Sequence, residues 1–151
     1  MEVAVPQPSV LERLVSTVTK DPSALGVLNI VDLGSVPGRG VDSISRAEMA
    51  MALNASLFAD LLVRVPTAKS YVSSAVALGG RVHFDHGALR TIEGPTGDLP
   101  SGFGAFARIL EPLGYELADL YPLPRLRMTG RAFVQRDFPA DIPQFFVSEL
   151  H

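Results

Sequence analysis

Apolar positions recur at helical spacing through the first half of the chain and alternate with polar ones through much of the second. Ser9 to Glu12 reads S-x-x-E, the capping-box pattern in which the two side chains satisfy each other's backbone N–H groups. Val10, Leu11, Leu14, Val15 and Val18 follow on one helix face, and the run closes near Asp21-Pro22. Asp32 to Gly40, rich in glycine and broken by a proline, predicts an irregular loop. Ser45 to Glu48 repeats the capping box, and Met49, Leu53, Leu57 and Leu61, flanked by Phe58 and Leu62, make an apolar stripe. Val65-Pro66 ends or kinks that helix, because the proline ring disfavours the helical conformation of the residue before it. A third helix is expected from Pro66 to Leu78, stopped by Gly79-Gly80.

Arg81 to Ile92 alternates and reads as a strand. Glu93 to Gly97 is a turn-rich break. Ser101 can then cap a helix carrying Phe103, Phe106, Ala107, Leu110 and Leu113, stopped by Gly114. Tyr115 to Tyr121 and Leu126 to Arg136 read as strands around a turn at Pro122-Leu-Pro124, and Pro143 to His151 as a last strand. The order is β–α–β–β–β after a helical region, an α+β pattern. The expected organisation is a helical region over 1–80 and a βαβββ module over 81–151, one continuous domain in a longer protein. The last residues, Glu149-Leu-His151, lie inside an apolar strand, and the expectation is a piece of a longer chain.

Composition removes several classes of function. The 151 residues carry a net charge of −3, which argues against a phosphate-backbone binder, since that needs a basic face. There is no cysteine, so disulfides, a thiol nucleophile and thiolate metal sites are excluded for these residues. Any histidine chemistry rests on His83, His86 and His151. Neither a transmembrane helix nor a secretory signal is read, and a cytoplasmic location without membrane or nucleic-acid partners is the expectation. Arginine outnumbers lysine 11 to 2, which leaves many bidentate carboxylate-binding groups. No P-loop, GxGxxG or GxSxG pattern occurs, so Ser70, Ser73 and Ser74 lack the context of a serine hydrolase, and Gly102 and Gly104 alone say little about phosphate.

The strand from Arg81 to Ile92 carries the most chemistry. Its even positions, Val82, Phe84, His86, Ala88, Arg90 and Ile92, share one face that is mostly apolar and expected to point inward. A charged group there needs a partner. Either Arg90 pairs with a carboxylate and His86 is a hydrogen-bonded core residue, or both face a cavity holding an anion or a metal. Glu149 and His151 share a face of the last strand. If that strand lies beside the first, His86, Glu149 and His151 can approach as a two-histidine, one-carboxylate site of the non-haem Fe(II) type. The plainer reading leaves Glu149 and His151 solvated. Arg125, Arg127 and Arg131 cluster around the hairpin, as a carboxylate grip or a solvated face, and Asp137 and Asp141 are expected to cap turns.

Phe84-Asp-His-Gly-Ala-Leu-Arg-Thr91 resembles the H-G-A-x-R motif of the 2-oxoadipate dioxygenase/decarboxylase family, also called hydroxyglutarate synthase. Tyr121-Pro-Leu-Pro-Arg-Leu-Arg-Met-Thr-Gly-Arg-Ala-Phe133 and Asp141-Ile-Pro-Gln-Phe-Phe-Val-Ser-Glu-Leu-His151 also resemble it, so the likeness covers most of residues 40 to 151. The resemblance implies a vicinal-oxygen-chelate-like fold of paired βαβββ modules, of which this chain holds one. It implies Fe(II) bound by two histidines and a glutamate, and conversion of 2-oxoadipate and O₂ to 2-hydroxyglutarate and CO₂ in lysine breakdown. His86 maps onto a metal ligand and Arg90 onto the arginine that holds a substrate carboxylate. The family's second histidine and its glutamate come from the second module, and that glutamate is not carried onto Glu149. The implied partners are a small 2-oxo dicarboxylic acid and O₂, with self-association expected of a half-barrel that exposes edges and apolar faces. Two alternatives stand beside this: another metal-dependent enzyme of the same fold using His86, Glu149 and His151, and a non-catalytic module binding a carboxylate through Arg90 and the hairpin arginines.

Overall fold

The computed structural model describes residues 8–19, 23–36, 43–95 and 97–151. The chain divides into two units, Met1–His83 and Phe84–His151. Asp21, Pro22, positions 37–40 of the expected loop and position 96 of the turn-rich break lie outside the described residues.

The first unit holds four helices: α1 (Val10–Val18), α2 (Ser23–Ile30), α3 (Arg46–Arg64) and α4 (Pro66–Ala77). Both capping boxes form. The Ser9 hydroxyl accepts from the Glu12 N–H at 3.2 Å, and the Glu12 carboxylate accepts from the Ser9 N–H at 2.6 Å. The Ser9 backbone bond, and then its side-chain bond, hold the Glu12 carboxyl below its ordinary pKa. A lowered carboxyl pKa stabilises the fold above the unfolded-state value, and that contribution is lost as pH falls through the folded-state value. Acidification below the ordinary glutamate range should therefore fray the first turn of α1 before it touches the rest of the helix. Amide shifts of Ser9 and Glu12 followed by NMR from that range down to full protonation of the carboxyl test this; shifts that stay unchanged as the carboxyl protonates would refute it.

Two features of this unit differ from the sequence pattern. Helix α2 was not legible, because Ser23–Ile30 is apolar nearly all round and buries Ala24, Val27 and Leu28, leaving no polar face to mark a period. In α3 the apolar stripe is not the buried face. Ala47, Ala50, Met51, Ala55 and Ala59 are buried, whereas Met49, Leu57 and Leu61 are exposed. The small side chains let α1 and α2 pack close to the α3 backbone. Pro66 breaks the path as expected, and α3 and α4 meet at 112°. Among the described residues, no single helix is long and apolar enough to cross a membrane.

The second unit is a βαβββ module: β1 (His86–Ile92), α5 (Phe103–Leu110), β2 (Tyr115–Leu123), β3 (Met128–Gln135) and β4 (Gln144–Leu150). The sheet order is β1-β4-β3-β2, with β1 and β4 parallel and the other neighbours antiparallel. The α+β order expected from the sequence is the observed one. Strand β1 starts later than the alternation suggests. Val82 instead forms an isolated bridge with Val31 in the first unit. Helix α5 covers one sheet face, with Ala107 and Leu110 buried on the same side as Tyr115, Phe133, Phe145 and Val147.

The N-terminus of α5 corrects the expected cap. Gly102, not Ser101, precedes the first helical residue, at φ 60°. The orphan N–H of Phe103 is satisfied by the Glu149 carboxylate on β4, at 2.6 Å. A side chain at position 102 would collide with that carboxylate, and only glycine adopts this backbone freely. After β3 the turn is organised by Gln135, whose carbonyl oxygen accepts from the N–H groups of Asp137 and Phe138, both at 2.8 Å. The Asp137 carboxylate accepts in return from the Gln135 amide at 3.1 Å.

Candidate functional site

The period of two in β1 is present, but it faces the other way from the expectation. Gly87, Leu89 and Thr91 are half-buried beneath α5, and His86, Ala88, Arg90 and Ile92 are exposed. The cause lies in what packs on the odd face. Gly87 lies flat against the ring of Phe145, where a Cβ would come within 2.6 Å of Cδ1. The Thr91 hydroxyl donates to the Gly102 carbonyl at 3.3 Å, tying the strand to the start of α5. His86 and Arg90 therefore stand on the sheet face away from α5, and neither charge is forced into a core.

On this open face His86 lines a cavity of about 240 Å³ together with Asp85, Tyr121, Ala132, Gln144 and Phe146. The imidazole is half exposed, and its Nδ1 lies 3.2 Å from the Asp85 carboxylate. Gln144 is the cross-strand neighbour of His86. The Tyr121 and Phe146 rings pack at 5.6 Å between centroids and form one wall. Gly130 sits under Phe146, where a Cβ would strike the ring, so the absence of a side chain lets Phe146 lie across β3 towards Tyr121. Arg90 makes no hydrogen bond or ion pair among the described residues, and its neighbour on β4 is Ser148. An exposed, unpaired guanidinium has five donors free for a carboxylate.

The trio of His86, Glu149 and His151 does not assemble. Strand β4 does lie beside β1, but His86 aligns with Gln144, five residues before Glu149. Glu149 points to the other face, where it bonds the Phe103 N–H and the Arg131 guanidinium, the latter at 2.8 Å. The His151 ring is held between the Glu93 carboxylate at 2.6 Å and the Thr129 hydroxyl at 2.7 Å. Arg131 leaves the hairpin cluster for Glu149 and also stacks over the Phe103 ring, 3.9 Å from its centroid. Arg125 and Arg127 remain exposed at the turn.

The described residues do not by themselves make a metal site. His86 offers one imidazole donor, with its second nitrogen beside a carboxylate as metal-bound histidines commonly have. Among the described residues, no group of three His, Cys, Asp or Glu side chains can hold a metal ion. Sequence reasoning missed Gln144, Tyr121 and Phe146 as cavity residues. All three fall within the stretches that carry the family resemblance, but only the strand register places them beside His86.

The parallel β1–β4 pair, the helical crossover and the antiparallel β4-β3-β2 ladder define a vicinal-oxygen-chelate-like module of the glyoxalase superfamily type, preceded here by a helical region. A crystal structure from Ralstonia eutropha JMP134, described as a glyoxalase superfamily protein, superposes with a TM-score of 0.87. It shares 44% sequence identity over 97% of this chain. The chain spans 46% of the length of that structure. No protein-family model matches the sequence, and no curated protein does.

Proposed function

We propose that this chain supplies one metal ligand and the substrate anchor of an Fe(II)-dependent dioxygenase/decarboxylase. The reaction takes 2-oxoadipate and O₂ to 2-hydroxyglutarate and CO₂, with both oxygen atoms of O₂ retained in the products. The observation that carries the reading is the placement of His86 and an unpaired Arg90 on one open sheet face beside a cavity. Four residues of strand set their Cα atoms about 13 Å apart, a gap that two side chains and a six-carbon diacid can span.

His86 would hold the iron at the cavity, with donors from outside these residues completing the set. Iron held there would supply Lewis-acid and O₂-activating chemistry at the 2-oxo acid end. Asp85 orients the imidazole through Nδ1 and leaves Nε2 for the metal. Arg90 binds the distal carboxylate and fixes the direction in which the diacid lies. The Tyr121 and Phe146 rings cover one side of the cavity and exclude water from it. The likeness to a glyoxalase superfamily structure supports the fold on which this site is built.

The test is an anaerobic Fe(II) titration of the native protein followed by O₂ uptake with 2-oxoadipate. His86→Ala should abolish metal-dependent uptake. Arg90→Ala should raise the KM by about 100-fold, the value of a charged, bidentate contact. Undiminished 2-oxoadipate affinity in His86→Ala, with no iron bound by the native protein, would instead identify a carboxylate-binding module.

A further inference from the structure

We infer that β1 and β4 form a three-row track that reads the length and polarity of a dicarboxylate, with Gln144, Ala88 and Ser148 as specificity-determining residues. This rests on the site reading above. On the open face the parallel register pairs His86 with Gln144, Ala88 with Phe146, and Arg90 with Ser148. Neighbours in a parallel pair share a face, and successive rows on one face lie about 7 Å apart. The rows run polar, apolar, polar. The opposite face carries no such sequence: Gly87 with Phe145, Leu89 with Val147 and Thr91 with Glu149 pack under α5 or serve its N-terminus.

The pattern of the open face matches that of a linear diacid. The 2-oxo acid end lies over His86 and Gln144, whose amide both donates and accepts. The methylenes lie over Ala88 and the Phe146 ring, a floor without hydrogen-bonding groups. The distal carboxylate lies at the exposed Arg90 guanidinium, over the Ser148 hydroxyl, whose residue is only 9% exposed. The Phe146 ring packs against Tyr121 and lies over the bare backbone of Gly130. Ala88, the smallest side chain that still marks this face, keeps the middle of the track open between two long polar side chains.

Calorimetry under nitrogen, with the iron-loaded native protein, tests the inference without turnover. The probes are 2-oxoadipate and 2-oxohexanoate, which differ by the distal carboxylate alone. Ser148→Ala should weaken 2-oxoadipate about tenfold, as expected for one hydrogen bond to a charged group, and leave 2-oxohexanoate unchanged. Ser148→Thr, which keeps the hydroxyl, should restore the native value. Ala88→Leu should weaken both ligands, since both lay methylenes over that row. Arg90→Ala distinguishes failure of the site from failure of the track. If it leaves the preference for the diacid intact, or if the native protein binds neither acid, the site reading itself fails. If it removes the preference while Ser148→Ala and Ala88→Leu change neither affinity, the site reading stands and the track is refuted.

Discussion

Arg131→Met is expected to cost the sheet unit about 3–5 kcal/mol, because it strands a buried carboxylate. The Arg131 and Glu149 side chains are 14% and 7% exposed, and they meet at 2.8 Å. Glu149 spends its other oxygen on the Phe103 N–H at the start of α5. The guanidinium in turn stacks on the Phe103 ring, so a single cluster joins β3, β4 and α5. Removing the arginine leaves the carboxylate with one neutral donor in a site that water barely reaches. Adding Glu149→Leu to Arg131→Met removes that stranded charge, and most of the lost stability should return. A deficit of about 1 kcal/mol should remain, the value of the lost helix cap. Urea denaturation of the two single variants and the double variant measures this. Additive losses would mean that the pair is not coupled and that the cluster is read wrongly.

Gly87→Ala is the second large effect, expected to cost about 2–3 kcal/mol through overpacking. The new methyl would enter the ring of Phe145, which is 1% exposed and packed edge-on against Tyr115 at 5.3 Å. Neither ring has room to move, so the strain falls on β1, which carries His86 and Arg90. The same substitution at Gly130 also collides with a phenyl ring, that of Phe146. Phe146 borders the open cavity, however, and can swing away from the sheet. Gly130→Ala should therefore cost clearly less stability while enlarging or distorting the cavity. Comparison of the two urea midpoints decides the matter, and a lower midpoint for Gly130→Ala than for Gly87→Ala would reverse the assignment of faces. The glycine of the H-G-A-x-R stretch thus has a packing reason independent of any chemistry.

That His86 and Arg90 share one strand face was legible in the sequence, and what surrounds them was not. Alternation in β1 identified His86 and Arg90 as sharing a face, and the structure places both on the face away from α5. Alternation says that two faces differ; it carries no information about which one a helix will cover. Here Gly87 and Phe145 fit together under α5, and that contact decides the matter. Glu149 shows the same limit. Its strand was read correctly and its place beside β1 was only a supposition, while its role as a cap for α5 depends on two elements 46 residues apart in sequence.

The sequence by itself determined the local features, because each depends on residues a few positions apart. These are both capping boxes, the break at Pro66, the stop at Gly114 and the βαβββ order. Tertiary structure alone decided which helix face of α3 is buried, that the largely apolar segment Ser23–Ile30 is a helix, and which residues stand beside His86. Those outcomes follow from close packing between distant segments. Small side chains on α3 allow close approach where larger ones do not, and strand register sets Gln144, Phe146 and Ser148 opposite His86, Ala88 and Arg90.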